Sequence, residues 1–157
     1  MGLDQMDNIE TRIQGSEKLT NIFGYWPDFH DAEVIELHFS RGDMNPDEGR
    51  YDLPVLTISI HLWEWANTAE PPGGSVRRHR TLATLRFADI DNFRMEGFNH
   101  QNAIMELFIE HLERADGLVS YFSVELEPAT GMSVSFHCAR IEVVDARPCD
   151  SRGGPTA

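Results

Sequence analysis

The chain has 157 residues, 41% hydrophobic and 25% charged, the size of one globular domain able to bury about two thirds of its unfolded surface. Twenty-six acids against 13 bases leave a formal charge of −13, which argues against direct nucleic-acid binding. No apolar run approaches the ~20 residues of a membrane-spanning helix, and two cysteines do not make a disulfide framework.

Residues 1–15 are polar and weakly patterned and read as a flexible lead-in. The Met-Gly-Leu-Asp-Gln-Met-Asp start lacks the basic and apolar regions of a secretory signal, so a cytoplasmic location is expected. Ser16 is placed to cap a short helix through Ile22, with Gly24 ending it. Next comes the densest stretch of the chain, Phe23-Gly-Tyr-Trp-Pro-Asp-Phe-His-Asp-Ala-Glu-Val-Ile-Glu-Leu37. Such a concentration of aromatics, proline, histidine and acids ahead of an alternating run predicts a built corner leading into a strand. In the strand over 33–39, Ile35, Leu37 and Phe39 alternate with Val34, Glu36 and His38.

Residues 40–53, rich in Gly, Asp, Asn and Pro, read as loop. Over 55–65, Leu56, Ile58, Ile60 and Leu62 line one strand face, and Val55, Thr57, Ser59, His61, Trp63 and Trp65 the other. The first face is the expected core; the second ends in two indoles. Pro71-Pro72-Gly73-Gly74 marks a loop tip, and a strand over 81–87 turns Ala83, Leu85 and Phe87 inward. The segment 91–98 is short and extended. Residues 103–111 fit two patterns, because Ile104, Met105, Phe108 and Leu112 space as a helix face while Met105, Leu107 and Ile109 alternate as a strand. Strands over 119–127 and 133–144 flank the turn Pro128-Ala-Thr-Gly131 and predict a hairpin. The Gly/Pro-rich residues 148–157 read as a disordered tail. The expected fold is therefore α+β and mostly antiparallel β, a single sheet-rich domain over 16–147 with a short N-terminal helix.

Charge is unevenly spread. Residues 1–60 carry 12 acids and 4 bases, whereas Arg77-Arg78-His79-Arg80 form a local basic patch. This surface serves solubility or steers the chain toward a basic protein.

Motifs for chemistry break at required positions. His30, Asp31 and Glu33 lie close in sequence, and His61 and His137 sit in strands that could converge on them. Yet His-x-x-Glu at a loop-to-strand junction does not aim both groups at one ion, and there is no His-Glu-x-x-His. A calcium loop starting at Asp43 fails, since Glu48 stands where Gly is needed and Pro54 where Glu is needed. No Gly-x-Ser-x-Gly or phosphate-cradling glycine loop is present. No catalytic residue, cofactor or metal is expected. Asp31 reads as a hydrogen-bonding residue of the corner.

Three blocks carry a resemblance: Phe23-Gly-Tyr-Trp-Pro-Asp-Phe-His-Asp-Ala-Glu-Val, then Gly97-Phe98-Asn99-His100-Gln101-Asn102, then Phe122-x-Val124-Glu-x-Glu-Pro128 with Gly131 and Phe136-x-Cys138. Across roughly 16–148 the chain resembles the immunity protein 50 family of bacterial polymorphic-toxin systems. The resemblance implies a mostly β fold and an inhibitor of a cognate protein toxin. It supplies no catalytic residues and tilts 103–111 toward strand. The residues themselves nominate Asp28, Asp31, Glu33 and Glu36 as acidic contacts and Trp63 and Trp65 as apolar anchors. Trp26, Pro27 and His30 are assigned to folding the corner. Two other readings stand beside this one: a small metal-binding protein or enzyme centred on His30, Asp31 and Glu33, and a dimerising scaffold, a homo-oligomer whose charge only keeps it soluble.

Overall fold

The computed structural model describes residues 8–67, 74–115 and 117–156. A 3-10 turn at Ile9–Arg12 and helix α1 (Glu17–Phe23) precede the strands. These are β1 (Glu33–Ser40), β2 (Met44–Asn45), β3 (Arg50–Tyr51), β4 (Val55–Asn67), β5 (Ser75–Ala88), β6 (Asp91–Glu96), β7 (Ala103–Glu113), β8 (Ser120–Thr130), β9 (Ser133–Cys138) and β10 (Arg140–Pro148). Eight strands join in the order β10-β5-β4-β1-β7-β8-β9-β6, while β2 and β3 pair apart. Every strand pairing is antiparallel. The expected fold class holds.

Two features show that this ribbon folds over on itself. At its middle, β1 and β7 share one ladder pair, Glu33 with Ala103. Short connections also join distant positions in the order: β5 reaches β6 through Asp89 and Ile90, and β9 reaches β10 through Ala139 alone. A single residue cannot span a flat sheet of that width, so the halves β10-β5-β4-β1 and β7-β8-β9-β6 close into a sandwich. Ala139 N–H donates to Ala88 O at that corner (2.9 Å).

The predicted core faces meet between the halves. Leu56, Ile58, Ile60 and Leu62 are buried with Ala83, Leu85 and Phe87. Val124, Leu126, Val134 and Phe136 from the other half belong to the same cluster. Phe87 meets Phe136 edge-on, with centroids 5.0 Å apart. Each side chain of this size contributes about 1.5–3 kcal/mol by leaving water. Leu19 and Phe23 of α1 are buried in the same cluster.

Residues 103–111 are strand, the alternative that the resemblance favours, and their inward pattern follows the pairs Leu107–Leu126 and Ile109–Val124. Several other expectations change. The single strand expected over 133–144 is two strands, because the chain crosses between halves at Ala139. A bulge between Val34 and Glu36 breaks the alternation of β1, leaving Ile35 exposed and Val34 buried. Phe39 is also exposed but stacks on Phe93 (4.4 Å). The helix runs one residue further than predicted, to Phe23, and Ser16 makes no side-chain cap hydrogen bond. Gly24 ends it with a left-handed φ of 84°.

The ends are also more ordered than composition implies. In the expected lead-in, Ile13 is buried, Gln14 N–H donates to Ile141 O (2.9 Å) and Val143 N–H donates to Gln14 O (2.7 Å). Residues 1–7 of that lead-in lie outside the described residues, as does 71–73 of the Pro-Pro-Gly tip. In the expected tail, Cys149 N–H donates to Arg80 O (3.1 Å), continuing the ladder of β10. The Asp150 carboxylate then accepts from the N–H groups of Arg152 and Gly154, both at 2.8 Å. This Asx turn lies over His61, and a Cβ at Gly153 would sit 3.6 Å from the histidine side chain.

Candidate functional site

The corner between α1 and β1 is built on an unusual backbone. Phe29 and Asp31 both adopt positive φ, 62° and 67°, a region that costs an L-residue roughly 1–2 kcal/mol. Surrounding contacts fix them there. Phe29 is buried and meets Trp26 edge-on at 5.6 Å. Ala32 N–H donates to Phe29 O (3.1 Å), and Asp31 N–H donates to Ile104 O (2.9 Å). Asp28 Oδ1 accepts from His30 N–H (2.9 Å), a local turn that competes with regular structure.

The result pushes His30 outward, where its Nδ1 lies 2.8 Å from Met105 O. As Nδ1–H donates to that carbonyl, the hydrogen bond raises the imidazole pKa above its usual value; Asp31, then Asp28 and Glu106, act in the same direction. His30 Nε2 is 3.6 Å from Asp31 Oδ1. The corner is thus a positively inclined imidazole set among three carboxylates.

Grooves open on both sides of this corner. One, of about 220 Å³, is lined by Tyr25, Trp26, Pro27, Asp28, His30 and Trp63. The other, of about 370 Å³, runs between Trp26, Asp28 and His30 and the β7 residues Met105, Leu107 and Ile109. Among the nominated contacts, the first groove therefore joins Asp28 and Trp63, and it also holds the corner residues Trp26, Pro27 and His30. Asp31 is partly buried beside it. Glu33 and Glu36 lie elsewhere: the bulge at Ile35 sets them opposite His61 and Ser59, on the outer face of the first half-sheet.

Trp63 and Trp65, the nominated anchors, both lie against an arginine of β5. The Arg77 guanidinium carbon lies 4.4 Å from the Trp63 ring centre and 5.0 Å from that of Trp65, a cation–π sandwich. Trp65 remains 48% exposed. Sequence reading missed this partner because it started the strand at 81 and read Arg77 only as part of a basic patch, whereas β5 begins at Ser75 and pairs Arg77 with Trp65. It also missed Glu64. That carboxylate pairs with Arg78 (3.3 Å), which holds its pKa below the usual range, and the Tyr25 hydroxyl supports the same anion. All four residues of the basic patch thus engage groups on β4, His79 through Glu64 (3.8 Å) and Arg80 through His61.

The residues of the metal alternative are not assembled. His61 is buried and faces Arg80, Nε2 to Nη1 3.5 Å. Burial, then Arg80 and Arg77, lower its pKa. His137 lies in the other half, 3.3 Å from the Asn92 amide and packed on Tyr121. Among the described residues no group of three or more His, Cys, Asp or Glu side chains could hold a metal ion. Both cysteines are free and buried, and burial pushes the Cys138 thiol up to about 12. Among the described residues no helix is long and apolar enough to cross a membrane.

Residues 15–149 match the family model described as Immunity protein 50. No curated protein and no solved structure matches the chain.

Proposed function

We propose, from the premise that the chain belongs to the immunity protein 50 family, that it neutralises a cognate protein toxin by binding it and blocking its active site or substrate access. The family match over nearly the whole domain carries this reading. On this reading the chain acts by occlusion, with neither catalysis nor cofactor, in the cytoplasm where the toxin would otherwise work.

The surface supports a basic target. A net charge of −13 favours encounter with a positive surface. A nuclease toxin fits this chemistry, because a groove that holds phosphates must be basic. Within the nominated contacts, Asp28 and Trp63 form the strongest pair, since one groove holds both. Asp31 adds charge beside it, and Glu33 and Glu36 extend the acidic field over the outer face of β1. Trp65 offers an exposed indole already oriented by Arg77. Trp26, Pro27 and His30 shape the corner.

The test is co-expression with the toxin domain encoded beside this chain, scored by survival. The wild-type chain should restore growth. Failure to protect, with soluble expression verified, would overturn the reading for that pair.

A further inference from the structure

We propose that the side of β7 facing the aromatic corner, unpaired beyond Met105 among the described residues, receives an extended, basic segment of the toxin as an added strand; this rests on the immunity reading above and names the surface used. β7 is eleven residues long. It pairs with β8 from Ala103–Thr130 to Glu113–Ser120, whereas on the β1 side, among the described residues, the ladder holds Ala103 alone, Ile104 exchanges backbone bonds with Asp31 and Ala32, and the 3-10 turn packs against the strand. In an antiparallel strand, alternate residues direct N–H and C=O to the same side. Beyond the junction with β1, those groups therefore point away from β8 and toward the aromatic corner. His30 Nδ1 engages one of them, Met105 O. The groove of about 370 Å³ follows this edge, with Leu107 and Ile109 on the strand side and Ile9, Trp26 and Pro27 opposite.

Unpaired edges are templates for another strand, and natural sheets blunt them with Pro, Lys or bulges. β7 has neither Pro nor Lys. Its two register shifts both fall between Ala103 and Glu106, so the pairing over 106–113 is regular. What it carries instead is Glu106, Glu110 and Glu113, with Asp28 also lining the groove. These carboxylates oppose an acidic segment and favour one bearing Lys or Arg. The same charges disfavour a second copy of this chain, because antiparallel β7–β7 pairing brings glutamates of both copies together, and like charges on facing strands are destabilising. The occupant that fits is a basic strand from a different protein.

Hydrogen–deuterium exchange on the full chain, with and without the purified toxin domain, reads the edge directly. Amides within 105–113 should slow on binding, while those of β6 and β9 keep their rates. A Glu106→Lys/Glu110→Lys variant should bind on the order of tenfold more weakly with an unchanged melting temperature. If the toxin is bound and neutralised but β7 exchange is unaltered and the double variant binds like wild type, the strand-addition inference is wrong and the immunity reading stands. If the folded wild-type chain does not bind the toxin, both fail. A dimer that protects β7 without toxin would assign the edge to a second copy and overturn the proposal.

Discussion

At the scale of single residues, the corner shows which properties of a sequence can be read and which cannot. Its density of aromatics and acids marked it out, but the left-handed backbone at Phe29 and Asp31 follows from contacts with β7 that no local pattern encodes. Asp31 illustrates the consequence. Asn tolerates the same backbone without the charge, so Asp31→Asn should leave the melting temperature unchanged and slow association with the toxin in stopped-flow measurements. Asp31→Val should instead destabilise by roughly 1–2 kcal/mol, because a β-branched side chain resists positive φ. His61 offers a second residue-scale expectation. Its native pKa lies below the unfolded value of 6.5, so the unfolded chain takes up a proton first as pH falls. The stability it contributes is present above about pH 6.5 and is lost as pH drops through the native value. His30 has the opposite sign: its raised pKa contributes below about pH 6.5 and fades as pH rises through the native value. Thermal melts from pH 7 to 5 should therefore fall less steeply for His61→Gln than for wild type; an identical slope would show that His61 is not held neutral by its burial.

At the scale of elements, period-two alternation identified β4 and the central part of β5 because both bury one whole face. It failed where the ladder is irregular. The bulge in β1 turned Ile35 outward, and the crossing at Ala139 split one alternating run into two strands, since alternation does not reveal which sheet half each segment joins. The C-terminal segment carries a signal that composition alone hides. Gly, Ser and Pro signal disorder by composition, yet Asp150 at the head of Asp-Ser-Arg-Gly-Gly organises them into a turn that covers His61. Removing residues 150–157 should expose Cys149 to a chromogenic thiol reagent while Cys138, deep in the core, stays silent. It should also lower the melting temperature by about 2–4 °C for each kcal/mol of lost packing. Unchanged Cys149 reactivity would show that the turn does not shield this end of the sheet.

At the scale of the whole molecule, three properties act together. The doubled-over sheet fixes the aromatic corner at the narrow junction between its halves, where β1 and β7 share one ladder pair. The basic patch on β5 lies against β4, with Arg77 near two indoles and Arg78 on Glu64, apart from the acids that line the groove at the corner and β7. Overall charge and the blocks carrying the family resemblance were legible in the sequence; the juxtaposition of Asp28 with Trp63 was not, because it depends on α1, the corner and β4 meeting at one end of the sandwich. The central claim is that this surface silences a toxin by direct occupation. Titrating the activity of the purified toxin domain with the purified chain tests it most directly. Activity should fall linearly and vanish near equimolar chain, as for a tight one-to-one complex; full toxin activity in the presence of a large molar excess of folded chain would contradict direct occupation.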